Sequence, residues 1–380
     1  MPWQELSTMS LRLEFVRLAS QEPRTVSIRE LCRRFNISPP TGYKWLSRCS
    51  ADGSVDVRDR SRRPHVSPTK TSDALELAVL KLRKDHPTWG GRKIAARLHA
   101  LEQENVPAPS TITEILRRNA ALDDDKKPSD SASTRFEYDQ PNALWQMDFK
   151  GHFPIKEGRC HPLTILDDHS RFSIAVQACT NEQSETVKDE LIRVFRTYGL
   201  PERMLMDNGP AWSGQGHGLS KIEIWLMRLD IKVCHGRPYH PQTQGKDERF
   251  HRTLKADVLQ FNVPKDLASC QKAFDEFRQV YNHQRPHEAI GLRPPISRYQ
   301  PSNRPYLEML PAIEYAPQDV IRKVYYPGQL RFQGRRIIVG KGLIGQQVAI
   351  RPTLVDAVYD IMYCSTVVRQ VNLRTDPIEL

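Results

Sequence analysis

The sequence predicts a multidomain protein: all-α helix-turn-helix domains on the N-terminal side, an α/β core built on a mixed sheet, and a small all-β barrel on the C-terminal side. Three observations predict it. Short helical segments with their own start signals run through residues 9–118. From about residue 140, short strand runs alternate with helices in the order β-β-β-α-β-α-β-α, which argues for a mixed sheet flanked by helices. Residues 320–372 are rich in Val, Ile and Tyr and are punctuated by Pro327-Gly, Gln333-Gly and Gly340-Lys-Gly turns, the pattern of a small β module. A chain of 380 residues exceeds one ordinary core and fits two to four domains.

Residues 9–19 place Leu11, Phe15 and Leu18 on one helical face. Residues 27–35 read as a second short helix, with Ser27 and Glu30 spaced as a capping box, and Asn36 suits the left-handed conformation that ends a helix. A third helix begins at Pro39 and runs through Leu46. Helix, short turn, helix is the layout whose second helix enters the major groove. Residues 1–70 hold 13 Lys and Arg against 7 Asp and Glu, and Lys44 and Arg48 lie in or beside the recognition helix as candidates for DNA contact. The basic, proline-punctuated segment from Arg58 to Pro68 carries Arg60, Arg62 and Arg63, which suit a phosphate track or a minor groove, a solvated tether being the alternative.

A second helical block follows. Leu75, Val79 and Leu82 form a stripe, Gly91 to Leu98 a short helix, and Thr111 to Arg118 a third helix with Thr111 and Glu114 as its capping box. It reads as another helix-turn-helix with Thr111, Thr113 and Arg117 facing DNA. Residues 122–133 are a polar linker. In the core, residues 144–150, 163–166 and 171–177 read as strands, with Asp167-Asp-His-Ser170 as a hairpin turn. A helix over 182–198 leads to a strand over 203–206, a helix over 219–229, a strand over 231–234 and the helix that holds Glu248. Leu267, Phe274, Phe277 and Tyr281 mark a further helix. The expected domains are 1–57 (helix-turn-helix), 58–71 (basic linker), 72–121 (second helix-turn-helix), 122–138 (linker), 139–303 (catalytic core) and 304–380 (linker and β-barrel).

Composition narrows the partner. The chain carries 56 Lys and Arg against 45 Asp and Glu, a net charge of +11, which favours a polyanion. It has no run of about 18 apolar residues, and its first residues lack a signal peptide's basic start and apolar stretch, so nucleic acid is expected rather than a membrane. Seven scattered cysteines with no Cys-x-x-Cys pair suit reduced thiols in a cytoplasmic setting. The adjacent Cys160-His161 pair is read as incidental.

Three carboxylates carry the chemistry: Asp148 in Trp145-Gln-Met-Asp-Phe149, Asp207 in Met206-Asp-Asn-Gly209, and Glu248 in Gly245-Lys-Asp-Glu-Arg-Phe250. Three acids from distant parts of a chain can hold two divalent ions when the fold brings them together, and such a pair can activate an attacking oxygen and stabilise a leaving one. Helix phase favours Glu248 as the third: it shares a face with Arg252 and Lys255, opposite Phe250, Leu254, Val258 and Phe261. Asp247 is the competing candidate, read as a helix-start residue favoured by the dipole. The loop Pro238–Gly245 presents His240, Gln242 and Gln244 to DNA, with Lys246 just after it. Asp167, Asp168 and His169 are read as a turn and not as ligands.

The segment from Trp145 to Asp148, the Asp207-Asn-Gly run, residues 239–254 and Tyr281-Asn-His-Gln-Arg-Pro-His-Glu-Ala289 resemble the integrase core of bacterial insertion-sequence transposases, of the DDE transposase and retroviral integrase superfamily. The resemblance covers nearly the whole chain. It implies a ribonuclease-H-like core, two Mg²⁺ ions with Mn²⁺ able to substitute, hydrolysis at transposon ends and transesterification into a target. Holding two DNA ends together calls for a homodimer or higher oligomer on DNA, and the expected setting is the bacterial cytoplasm, at the nucleoid. One departure stands out: 40 residues separate Asp207 from Glu248, more than is usual in that family, and Ser213–Gly218 could house the extra length. A non-catalytic DNA-binding regulator and a nuclease that cuts without joining are the competing functions.

Overall fold

The strand that carries Asp148 lies in the middle of a mixed sheet, and the rest of the core is arranged to cover its two faces. The computed structural model describes residues 7–23, 26–49, 56–59, 70–122, 137–207, 212, 218–235, 245–260 and 264–376. Two units result, residues 1–70 and 71–380.

In the first unit, α1 (Thr8–Ala19), α2 (Ile28–Arg34) and α3 (Pro39–Leu46) each start on a serine whose side chain accepts a backbone N–H: Ser7, Ser27 and Ser38. The capping box at Ser27 is only half formed. Ser27 accepts from Glu30 N, but the Glu30 carboxylate turns to Arg33 and Arg34. Asn36 takes the expected left-handed conformation at φ 52°. The buried stripe of α1 is Phe15, Val16 and Ala19, while Leu11 is exposed. The reason is that α2 and α3 meet α1 through Leu31, Cys32 and Trp45, one position around from the stripe expected.

In the second unit, α4 (Asp73–Asp85), α5 (Gly91–Ala100) and α6 (Pro109–Arg118) pack around Val79, Trp89, Ile94, Leu98, Ile112 and Leu116. The capping box expected at Thr111 is absent, because α6 starts two residues earlier with Pro109 in its first turn. A proline there is favoured, having no N–H to leave unpaired. α5 and α6 approach so closely that a Cβ on Gly91 would lie 2.3 Å from Pro109 O. Thr88 donates to Asp257 Oδ1 at 2.6 Å and Arg285 to Asp257 Oδ2 at 2.7 Å, which ties this helical block to the core.

The core sheet comprises β1 (Trp145–Phe149), β2 (Phe153–Ile155), β3 (Gly158–Asp167), β4 (Ser173–Cys179), β5 (Arg203–Met206) and β6 (Lys232–His235). β3 pairs antiparallel with β1, β2 and β4; β1 pairs parallel with β5, and β5 parallel with β6. This mixed order is that of the ribonuclease-H-like core the resemblance implies, with β2 as a short addition that sequence reading missed. Met147, Leu163 and Ile165 pack on one face under α7 (Ser184–Tyr198) and α8 (Lys221–Arg228). Leu166 and Val176 pack on the other under α9 (Gly245–Leu254) and α10 (Leu267–His283). Side chains alternate along a strand, so Asp148, next to Met147, faces the α9 side.

Beyond residue 319, β7 (Val320–Lys323), β10 (Gln347–Pro352), β11 (Val358–Tyr363) and β12 (Thr366–Asn372) form one antiparallel sheet, and β8 (Gln329–Phe332) with β9 (Arg335–Ile338) a second. Both share an apolar core that also takes in Ile224 and Met227 of α8. A Cβ on Gly342 would fall 2.0 Å from Leu219 O, so only glycine fits where this module meets the core. Among the described residues, no helix is long and apolar enough to cross a membrane.

One titration follows from the packing behind α10. His287 Nδ1 accepts from Ala289 N at 3.3 Å, and burial, aided by Arg171 and Arg285, pushes its pKa down to about 3. An unfolded imidazole titrates near 6.5, so protons favour the unfolded chain: the stability is whole above about pH 6.5 and drains away as pH falls toward 3. Between pH 7 and 5, a His287→Gln variant should lose less unfolding free energy than the parent, by up to about 2 kcal/mol. Urea titrations at both pH values measure this; parallel losses would show that His287 is not the titrating group.

Candidate active site

Register brings two of the three expected acids together. β1 and β5 run parallel with Trp145 opposite Met204 and Met147 opposite Met206. One step further along, Asp148 and Asp207 are level on neighbouring strands, which lie about 4.8 Å apart. Burial first, and then the Asp207 charge, push Asp148 up to about 7. Asp207 is held at its strand end by Trp212, whose Nε1 donates to Asp207 O at 2.9 Å and Oδ1 at 2.6 Å. Trp212 in turn stacks on Phe149, with centroids 5.4 Å apart. Sequence reading missed this tryptophan, although an indole five residues past a strand-end aspartate was available as a signal.

α9 supplies the third side of the site. His251 Nε2 lies 2.7 Å from Thr164 Oγ1, and His251 Nδ1 lies 3.9 Å from Asp148 Oδ2. Burial pushes His251 down to about 4, so at neutral pH it is an uncharged strut between α9 and β3. Asp247, one turn earlier on the same face, is buried, and its Oδ1 has no hydrogen-bond partner among the described residues. Burial and then Asp148 drive its pKa well above the usual carboxylate range. Asp247 lies in the first turn, as its reading as a helix-start residue expects, and its carboxylate is buried close enough to Asp148 to feel its charge. Glu248 sits in the same turn on the exposed side, along with Arg252 and Lys255. Phe250 and Leu254 are buried and Val258 packs against their cluster. Phe261 lies outside the described residues. At Lys255 the helix loosens into a π-turn, Lys255–Leu259, which shifts the phase from that point on.

The turn Asp167–Ser170 is structural, as expected. Asp167 Oδ1 accepts from Ser170 N at 2.8 Å and Oδ2 from Asn142 N at 2.7 Å. Asp168 is fully buried and accepts from Tyr138 N, Gln146 Nε2 and Lys246 Nζ. Lys246, expected to reach toward DNA, is thus turned inward, because Asp168 needs a buried counter-charge. Thr113 is half-buried. Its Oγ1 donates to Pro109 O and lies where a Cβ on Gly91 would meet it at 2.5 Å, so it belongs to the α5–α6 contact. Thr111 is exposed, and Arg117, also exposed, pairs with Glu114. Lys44 and Arg48 lie over the Trp45 ring at 4.9 and 4.6 Å, and Arg48 also donates to Arg58 O. Arg60, Arg62, Arg63, His240, Gln242, Gln244 and the segment proposed to absorb the extra spacing (213–217) lie outside the described residues.

Family models match along the chain. A helix-turn-helix domain matches residues 11–65 and a homeodomain-like domain residues 41–116. Integrase core domains match 138–241 and 229–295, and the C-terminal domain of IS481 family transposases matches 319–379. An uncharacterized 39.2 kDa protein of insertion element IS476 from Xanthomonas euvesicatoria is 25% identical over 248 residues, 63% of this chain and 68% of that protein. The Gag-Pro-Pol polyprotein of squirrel monkey retrovirus is 37% identical over 115 residues, which is 30% of this chain and only 6% of the polyprotein. Among solved structures, a simian T-cell lymphotropic virus intasome aligns over 75% of this chain and 96% of its own at 18% identity and TM-score 0.38. The HTLV-2 integrase catalytic core in complex with magnesium aligns over 42% and 98% at 19% identity and TM-score 0.33. The chain therefore carries an integrase core between helix-turn-helix domains and a transposase C-terminal domain. In this arrangement it resembles integrase-core transposases of the insertion-sequence type.

The inward Asp247 gives a measurable signature. Asp247→Asn, which ends the titration of this acid, should raise the unfolding free energy of the chelator-treated protein at pH 8 by about 1 kcal/mol or more, since an acid whose folded pKa is raised costs stability as pH rises. Glu248→Gln, on the exposed side, should leave it within about 0.5 kcal/mol. Equal shifts for the two variants in thermal melts would place both side chains in the same environment.

Proposed function

We propose that the chain binds the ends of its insertion sequence, frees a 3′-OH there by hydrolysis, and joins it to target DNA by transesterification. The observation that carries this reading is the β1–β5 register, which sets Asp148 beside Asp207 with the acidic first turn of α9 close by. A half-buried acid raised to about 7, first by burial and then by the Asp207 charge, favours a cation over solvent. The donor set is all carboxylate oxygen, which suits Mg²⁺ and Mn²⁺. We assign Asp148, Asp207 and Glu248 as the residues that would hold two Mg²⁺ ions, with Mn²⁺ able to substitute. When bound, such a pair activates an attacking oxygen and stabilises a leaving one. Glu248 is preferred to Asp247 because a ligand shared with DNA-bound ions has to be reachable from solvent, and Asp247 is 3% exposed.

The chain's own residues do the rest. Trp212 fixes the Asp207 carboxylate, and neutral His251 holds α9 against Thr164, so the acids keep their places while DNA comes and goes. Arg252 and Lys255, on the exposed side of the same helix, are placed to meet a phosphodiester approaching Glu248. End recognition falls to the N-terminal modules, through Lys44, Arg48 and the linker arginines, with Thr111 and Arg117 as candidates in the second. Holding two ends requires at least a homodimer on DNA, and the substrate places the enzyme at the nucleoid.

Asp148→Asn, Asp207→Asn and Glu248→Gln should each lower strand joining by more than about 1000-fold, a loss of roughly 4 kcal/mol of transition-state stabilisation, with end binding intact. Joining by Glu248→Gln alongside inactivity of Asp247→Asn would reassign the third ligand. Cleavage without joining in the wild type would identify a nuclease instead.

Replacing both Arg252 and Lys255 by Ala should depress joining and flatten its salt dependence, while gel-shift affinity for the ends changes little. Wild-type joining across a salt series would remove this helix face from the DNA path.

A further inference from the structure

A second cluster of metal-ligand side chains lies on the β2–β3 edge and takes no part in the carboxylate site. Phe153 pairs with Cys160 across the hairpin, so His152, just before β2, faces His161 on β3. His161 is paired on its other side with Cys179 at the end of β4. Three residues later the chain turns back over β3 with Glu182. His161 Nδ1 lies 2.9 Å from Glu182 Oε1, and the two imidazole centroids are 5.2 Å apart. One donor atom from each of the three residues lies within 4.8 Å of the other two.

We propose that His152, His161 and Glu182 form a binding site for a transition-metal ion of the Zn²⁺ class. A plain His–Glu ion pair would account for His161 and Glu182, but it leaves the second imidazole unexplained. Three ligands from three chain segments, two of them imidazole nitrogens, make a donor set that such ions favour and Mg²⁺ does not. The His161 and Glu182 side chains are 17% and 33% exposed and His152 is exposed, so the ligands are anchored on one side and open to solvent on the other. Bonds of 2.0–2.1 Å in a tetrahedral site place ligand atoms about 3.3 Å apart. The His161–Glu182 pair is already near that spacing, and only exposed His152 has to close in. Arg159 donates to His152 Nε2 at 3.0 Å, which marks that nitrogen as the one with a free lone pair. Arg159 is itself exposed and can turn into solvent as the ion arrives. The site would leave a fourth position open to water or an anionic ligand. It also lies within electrostatic reach of Asp148, which feels the Glu182 charge.

The test uses the full chain with Co²⁺ as the probe and Zn²⁺ as competitor, in excess Mg²⁺. One equivalent of Co²⁺ should give the visible absorption of a four-coordinate nitrogen and oxygen site, and Zn²⁺ should abolish it. His152→Ala and Glu182→Gln, both at accessible positions, should each weaken Co²⁺ binding more than about 10-fold, and Asp148→Asn should leave it unchanged. No absorption at one equivalent, an unchanged signal in His152→Ala and Glu182→Gln, or an intense thiolate-to-cobalt band would overturn the assignment. Loss of the signal in Asp148→Asn would overturn it too, by placing the ion at the carboxylates. None of these readouts uses strand joining, so failure here is separate from failure of the transposase reading.

Discussion

The structure turns on one unfavourable interaction, the closeness of Asp148 and Asp207. Parallel pairing of β1 with β5 holds the two acids on neighbouring strands, where like charges repel by a few kcal/mol at the effective dielectric of a protein site. A sheet tolerates this only if the strands cannot slip. The register is locked from below by Trp145, Met147, Met204 and Met206, which are all buried under α7 and α8. A one-residue slip would turn these apolar side chains to the other face and lift the acids out of line. The core therefore holds the acids where their mutual repulsion makes a cation welcome.

Charge is used differently a few residues away. Asp168 is as deeply buried as any residue in the core, yet it has three donors, Tyr138, Gln146 and Lys246. Asp167 is closed by Ser170 and Asn142. Glu137 gathers Arg171 and Arg298 on the same corner. These acids are satisfied, so they fix the β3–β4 turn and the start of α9 and have little left to offer an ion. Asp247 lies between the two regimes, buried like Asp168 but without its partners.

Much of the fold was legible because periodicity and capping are local. The strand over 203–206 and the helix over 267–283 follow directly from apolar spacing. Asp148 and Asp207 were legible because acids at strand ends are disfavoured unless used. The errors have a common cause, tertiary context. Leu11 and the buried face of α1 depend on which side α2 and α3 approach. The start of α6 depends on proline at 109 and on the tight contact with Gly91, and the local Thr-x-x-Glu pattern was overridden. Lys246 was read as a surface cation because its partner, Asp168, is 78 residues away in sequence. The inward turn of Asp247 follows from His251 one turn later, and helix phase alone could not rank the two without knowing that Thr164 waits across the gap. The short β2 was lost because Pro154 breaks its strand signal.

The N-terminal unit orders several basic side chains around one aromatic ring. Arg12, Lys44 and Arg48 lie 4.2, 4.9 and 4.6 Å from the centroid of buried Trp45. Three cations around one ring repel each other, and the indole face offsets only part of that. Arg12 is further held by Val57 O and Asp59, and Arg48 by Arg58 O, so the basic linker's first residues are folded back onto the same ring. Side chains already ordered by an aromatic ring and backbone carbonyls lose less rotamer freedom when a phosphate binds. In this unit, as at the carboxylates, the fold places like charge next to like charge, although here Arg12 also has Asp59 beside it.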